Sequence, residues 1–214
     1  MRGIVFDLDG TLVDGYPGIT SGVNAARASF GLPPLDEQDV RGRVGLGLSN
    51  LMDEVVGPER SAAGAEIFRN VYDRVCVEQT HAVPALADTL AAIGARRFKM
   101  TVASNKPVAY SIRILDGLGV LSMFDLIAGP ETAGALKPEP PMIRACLAAM
   151  NARPDQALYV GDMAIDAVAG ERAGVRVVLV CGGSTSPQGL RDTGHPVLNT
   201  LNELLDLLPS EASG

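Results

Sequence analysis

The 214-residue sequence predicts an α/β protein, a mostly parallel sheet covered by helices on both faces and carrying a small all-helical insertion. Three observations lead there. Short apolar runs rich in Val, Ile and Leu recur along the chain, and most end in polar or glycine-bearing residues, as buried strands do. Between them lie segments of helical periodicity, two of which close on Asn or Gly. The interval from Gly15 to about His81 breaks this alternation with consecutive helical patterns and no convincing strand.

In chain order, "GIVFD" at residues 3–7 is the first strand. The insertion follows as "GITSGVNAARASFG" (18–31), "LSNLMDEVVG" (48–57) and "AAGAEIFRNVYDRVCVEQ" (62–79), the first two joined by the proline-rich "GLPPLDEQD". Hinges are expected near Gly15 and at His81 to Pro84. Residues 1–14 and 82–214 then form the α/β core, and residues 15–81 the inserted domain. The core continues with strands "MTVAS" (100–104), "DLIAG" (125–129), "ALYVGD" (157–162) and "VRVVLV" (175–180). Helical patterns over 108–119, 140–151 and 163–174 separate them. The closing "SEASG", 210–214, reads as a frayed tail.

With 47% apolar and 20% charged residues, the chain has enough apolar side chains to bury a proper core. A net charge of −7, with no basic run longer than Arg96-Arg97, argues against a sequence-independent grip on nucleic acid or on an anionic membrane. A small phosphorylated metabolite remains compatible, given a local positive device to receive it. Cys76, Cys146 and Cys181 are odd in number, far apart and in apolar contexts, which suits reduced, buried thiols better than a disulfide or zinc site. No signal peptide or membrane span is expected, so the reading is cytoplasmic. Whether the protein is a monomer or a homodimer is left open.

The chemistry gathers where strands end. Asp7, Asp9 and Asp14 crowd together after the first strand, and like charges this close repel unless a cation lies between them. Side chains at i and i+2 of an extended segment point the same way, so Asp7 and Asp9 project together at the carboxyl end of the strand, where open parallel sheets bind ligands. A plain turn with solvated aspartates is the competing reading. A calcium loop fails, because its required glycine would be Leu12 and its closing Glu would be Gly18. In "LYVGDMAID" a second strand ends in Asp162, with Asp166 one helical turn later. If the strands are neighbours, Asp7, Asp162 and the backbone carbonyl of Asp9 can surround a hard cation that keeps several waters, as Mg2+ does. Asp166 is then a ligand or an outer support, against the alternative of an ordinary helix N-terminal acid. Ser104, Asn105 and Lys137 complete a receptacle for a phosphoryl group. Two like charges a few ångströms apart repel by roughly 4 kcal/mol at an effective dielectric near 20, so one metal ion and one lysine are a sensible minimum.

Four ordered motifs, "DLDGTLVD", "SNKP", "LKPEPP" and "GDMAID", make the chain resemble the haloacid dehalogenase-like hydrolases, in particular their phosphoglycolate phosphatase-like branch. The tail "VLNTLNELLDLL" resembles that branch's closing strand and helix. The resemblance implies a Rossmann-like parallel-sheet core with an α-helical cap. It implies Asp7 as nucleophile, Asp9 as acid and then base, and Lys137 as the charge that steadies Asp7. Gly10, Thr11, Ser104, Asn105 and Lys137 would hold phosphoryl oxygens, and Asp162 would bind magnesium with Asp166 supporting it. An acid two residues after the nucleophile suits an alcohol leaving group rather than a halide. A phosphatase or phosphomutase is therefore expected, with 2-phosphoglycolate the best single substrate, and a sugar phosphomutase or an inorganic pyrophosphatase as alternatives. A non-catalytic regulator is disfavoured by the intact acids and lysine. Two departures, Gly15 for the more usual Ser and "HAVP" at 81–84 for Pro-Gly-Val, touch the hinges. Substrate choice is expected in the cap, where the glycines of "RGRVGLGLSN" permit close approach and Arg41 or Arg43 is positioned to meet a substrate carboxylate. The competing reading is a helix connection with solvated arginines.

Overall fold

β1 (Gly3–Phe6) is buried along its whole length because it lies inside the sheet, with a strand on each side. A computed structural model describes residues 1–212. The last two residues of the expected tail, Ser213 and Gly214, lie outside that range.

After β1 the chain runs through β2 (Val13–Asp14) into the helical domain, made of α1 (Tyr16–Ser29), α2 (Glu37–Arg41), α3 (Leu48–Val56) and α4 (Ser61–Val75). It returns through β3 (His81–Ala82). The core follows as α5 (Leu86–Ala95), β4 (Lys99–Ala103), α6 (Val108–Gly117), β5 (Leu126–Ala128), α7 (Pro130–Ala133) and α8 (Pro141–Ala149). It ends with β6 (Ala157–Gly161), α9 (Ala164–Ala173), β7 (Arg176–Val180), α10 (Pro187–Arg191), β8 (Val197–Leu198) and α11 (Leu204–Leu207). The six-stranded sheet has the order β5-β4-β1-β6-β7-β8, and every pairing in it is parallel. Each strand expected up to residue 180 is present, its ends moved by at most one residue.

The pleat of β1 divides the core. Ile4 and Phe6 join Leu90, Leu115 and Leu204 on one face, while Val5 joins Met142, Cys146 and Tyr159 on the other. The helical domain packs around an apolar cluster of its own that includes Tyr16, Val23, Met52, Phe68 and Tyr72. Gly22 lets α1 come close to α4, since a Cβ there would press on the Phe68 ring.

Three expectations need correction. The hinges contain strand: Val13 pairs with Ala82 and Asp14 with His81 in an antiparallel ribbon, so one expected boundary falls inside β3 and the other at the end of β2. Strands this short show no readable alternation and form because the two linkers run side by side. The "GLPPLDEQD" connection starts a helix, α2, capped by Asp36, whose side chain accepts from the Asp39 amide at 2.7 Å. The closing helix is only a 3-10 turn, Leu201–Glu203, followed by α11, because Pro209 holds Leu208 in an extended conformation. All three cysteines are free, Cys76 and Cys146 buried as expected and Cys181 only partly so. Among the described residues no helix is long and apolar enough to cross a membrane.

Candidate active site

The parallel pairing of β1 with β6 puts the two acid-bearing strand ends side by side, and the Asp7 amide continues the ladder by donating to Val160 O at 2.8 Å. Asp7, Asp162 and Asp166 are all buried, and each offers an oxygen within 4.8 Å of the others. Lys137 reaches into this cluster, its Nζ 2.8 Å from Asp7 Oδ1 and 2.7 Å from Asp166 Oδ1.

Asp166 spends both oxygens on the protein. Oδ1 accepts from Lys137 and from the Tyr159 hydroxyl at 2.8 Å, and Oδ2 from the amides of Asp162 and Met163 at 3.1 and 2.9 Å. Asp162 accepts from the Thr11 hydroxyl at 3.2 Å and from the Ser184 amide at 3.0 Å. Burial pushes the Asp162 carboxyl well up, with Asp166 and Asp7 adding to the shift. Burial also raises Asp7, to about 6, against the opposing pull of Lys137. Lys137 itself, which burial alone would lower, is held up by Asp166 and Asp7.

Three carboxylates against one ammonium leave two negative charges buried together, the deficit that a divalent cation would meet. The donors are all hard oxygens, which fits a magnesium-like ion and not a soft metal. The Asp9 carboxylate stands outside the cluster. Its Oδ2 pairs with Lys106 Nζ at 2.9 Å, while its Oδ1 is buried without a hydrogen-bond partner.

A cavity of about 160 Å3 opens beside Asp7 and Asp9, between the sheet and the helical domain. Ser104, Asn105 and Lys137 line it as expected. The Ser104 hydroxyl accepts from the Lys106 amide at 3.3 Å, which leaves its own proton to donate. Asn105 ties two loops together, donating to Gly45 O at 2.7 Å and accepting from the Lys137 amide at 2.7 Å. Gly10 and Thr11 are not among the residues that line the cavity. The Thr11 amide donates to Leu8 O at 3.2 Å and its hydroxyl goes to Asp162; Gly10, at φ +83°, passes so close that a Cβ would overlap the Asp162 carboxylate. Both residues shape the acid cluster rather than the cavity wall.

The two candidate arginines are also committed elsewhere. Arg41 pairs with Asp14 at 3.2 Å and Glu37 at 3.1 Å, and Arg43 with Asp39 at 3.6 Å, two of these being i,i+4 pairs. Neither lines the cavity, although Gly45 and Gly47 of the same loop do. The helical wall is mostly apolar, with Ile19, Leu51, Phe68 and Tyr72. Arg69 of α4 lines the cavity as well and pairs with no carboxylate among the described residues.

Lys106 received no role from the sequence beyond its place in "SNKP". Buried, it donates to the Tyr72 hydroxyl at 2.6 Å while holding Asp9, and so connects the helical domain to the acid. Burial alone would lower its pKa, but Asp9 and Tyr72 push it up. The signal available in the sequence was its position directly after Ser104-Asn105.

A family model described as haloacid dehalogenase-like hydrolase matches residues 4–180. A phosphoglycolate phosphatase from Aquifex aeolicus (strain VF5) is 36% identical, the match covering 86% of each chain. One from Cereibacter sphaeroides is 34% identical over 97% of this chain and 98% of that one. Among solved structures, a predicted phosphoglycolate phosphatase from Haemophilus somnus 129PT superposes with a TM-score of 0.87 at 25% identity, covering 97% of each chain. A predicted phosphatase from Clostridium acetobutylicum, at 24% identity and a TM-score of 0.87, shares the fold over 96% of this chain and 97% of that one.

Proposed function

Since the chain belongs to the haloacid dehalogenase-like hydrolases and is a phosphatase, we propose that it hydrolyses a small phosphorylated metabolite through Asp7, with 2-phosphoglycolate as the substrate. One observation carries this reading: Asp7 lies at once in the carboxylate cluster, against Lys137 and on the cavity wall. The names of the curated relatives support hydrolysis over the mutase and pyrophosphatase alternatives. The cavity is well below the ~300–1,000 Å3 of pockets for drug-sized ligands, which supports a small substrate.

Asp7 attacks phosphorus, the bond to the alcohol oxygen breaks, and an aspartyl phosphate forms. Asp9 gives the leaving oxygen its proton through Oδ1, the oxygen without a partner, and Lys106 keeps that carboxylate in place. Asp9 then takes a proton from water as the water attacks the acyl phosphate, which frees inorganic phosphate and restores Asp7. Ser104 donates to a phosphoryl oxygen, and Lys137 offsets charge on Asp7 and on the transferring group. Asp7, Asp162 and the Asp9 carbonyl would hold a Mg2+ ion, which would supply further charge neutralisation for the transferring group. Asp166 orients Lys137 and the amides that open α9. Arg69, the uncommitted cation of the cavity, receives the substrate carboxylate. Three free thiols accord with a cytoplasmic setting.

Phosphate release across a panel of phosphorylated metabolites, with Mg2+ and after chelation, tests the proposal. The highest kcat/KM is expected for 2-phosphoglycolate, with activity lost on chelation. Turnover that survives thorough chelation, or a panel in which a hexose phosphate is isomerised without phosphate release, overturns it.

A further inference from the structure

The helical domain grips the loop after β7 at two points. Arg41 Nη1 donates to Gly182 O at 2.7 Å, and the Tyr16 hydroxyl meets Ser184 Oγ at 2.7 Å. The two gripping residues brace each other, because the Arg41 guanidinium lies over the Tyr16 ring, 3.9 Å from its centroid. Tyr16 is buried, and Arg41, with only 23% of its side chain exposed, is further anchored by Asp14 and Glu37.

The gripped loop is also wrapped around Asp162. The Ser184 amide donates to Asp162 Oδ2 at 3.0 Å, and Gly183 lies so close that a Cβ would overlap that carboxylate. Gly182, at φ +123° and with open space where a Cβ would stand, gives the loop little stiffness of its own. Fixed geometry at Ser184 therefore comes from outside the loop, on one side from Asp162 and on the other from Tyr16 and Arg41. Withdrawing the helical domain would remove both outer contacts and leave the amide that orients Asp162 on a loose loop.

We propose that Arg41 and Tyr16 are positioning residues for the divalent-cation site: by holding Gly182 and Ser184 they set the Asp162 carboxylate, so docking of the helical domain and cation binding favour each other. The inference rests on the reading of Asp162 as a cation ligand. Linkage is reciprocal, so whatever affinity the docked domain adds for the cation, the cation returns as stability of the docked state. Arg41 thus acts on the reaction from a distance, and not as a contact to substrate.

Calorimetric titration of Mg2+ or Mn2+ into the full chain without substrate tests this directly. Tyr16→Phe and Arg41→Ala are each expected to weaken cation binding about tenfold, as loss of an outer support of a metal ligand does, and Arg41→Lys to recover part of that loss. Arg113→Ala is the control. It removes a contact between core and helical domain, to Asp73, that does not touch the loop, and it is expected to leave cation affinity unchanged. Thermal melts establish that each variant is folded, and Tyr16→Phe, which deletes one oxygen, carries the test if Arg41→Ala does not fold. Cation affinities within twofold of wild type in Tyr16→Phe and Arg41→Lys overturn the inference. So does an equal loss in Arg113→Ala, which would mean that any loosening of the domain suffices. A wild-type protein that binds no divalent cation instead defeats the reading of the acid cluster itself.

Discussion

The sheet side of the cavity carries two acids and two lysines in pairs, Asp7 with Lys137 and Asp9 with Lys106, whereas the helical side presents Ile19, Leu51, Phe68 and Tyr72 with one uncommitted guanidinium, Arg69. The sheet side stores unfavourable electrostatics. Its acids are buried together, and Asp7 and Asp162 are pushed up by that burial. The helical side stores little, since its apolar residues also form the domain's own core. On the proposed reading the first wall does chemistry on the phosphoryl group, while the second selects the organic group. Changes to the first should cost rate on all substrates, and changes to the second should cost selectivity.

The sharpest way to break that division is Asp7→Asn. Loss of the nucleophile should lower phosphate release by about 10^4-fold or more for both 2-phosphoglycolate and a generic aryl phosphate. The same change should not weaken the fold. A buried carboxyl whose pKa is raised from 3.8 to about 6 costs stability as pH rises through that interval, so above pH 6 a neutral amide removes the cost. In a chelator, melting of Asp7→Asn at pH 7.5 is expected no lower than wild type. Unaltered aryl phosphatase activity would remove Asp7 from the chemistry.

Lys106→Met acts where the two walls meet. It leaves the largely buried Asp9 carboxylate unpaired and the Tyr72 hydroxyl without its donor. Breaking a buried ion pair from one side costs about 3 kcal/mol, which denaturant unfolding would register. Because Asp9 loses its support, kcat should fall about 100-fold with both substrates while KM moves little. A change confined to KM would place Lys106 with the substrate and not with the acid.

What could be read from the sequence follows the same division. The acids at strand ends were legible because a parallel strand declares itself by a continuous Val/Ile/Leu run, and i,i+2 spacing fixes which side chains leave together. Asp7 and Asp162 meet because β1 and β6 are neighbours, the condition that the strand-end reading set, whereas Lys137 was singled out only through its motif. Roles set by packing were not legible. Nothing in "RGRVGLGLSN" says that Glu37, Asp14 and Gly182 O would consume Arg41, because two of those partners lie outside its helix and one is a backbone carbonyl 141 residues away. The contact of Thr11 with Asp162 was not legible for a similar reason, since only the neighbouring β6 brings Asp162 within reach of its hydroxyl. Arg69 gave no signal in an α4 pattern already crowded with charged residues, and only the cavity singles it out.

Arg69→Ala sharpens the comparison from the helical side. A charge-assisted pair with the substrate carboxylate is worth about 1.5–3 kcal/mol, so kcat/KM for 2-phosphoglycolate should fall roughly 10- to 100-fold. An alkyl phosphate of similar size that lacks the carboxylate should be hydrolysed as by wild type. Equal losses on both substrates would mean that Arg69 supports the cavity instead of choosing among ligands.

The smallest effect is expected at Arg43, and its smallness is the point. The side chain is 36% exposed and is held by Asp39 one helical turn away, through its carboxylate at 3.6 Å and its backbone carbonyl. Exposed pairs of this kind contribute about 0.3–0.5 kcal/mol, too little to shift melting by more than a degree or two in a chain of this length. Arg43→Ala should therefore leave KM for 2-phosphoglycolate within twofold of wild type, measured beside Arg69→Ala under the same conditions. If instead Arg43→Ala raised KM as much as Arg69→Ala, the loop between α2 and α3 would have to turn its arginine into the cavity when substrate binds. The helical wall would then be assembled by the ligand and not by the fold, and the contrast between a rigid chemical wall and a preformed selective one would fail on its second half.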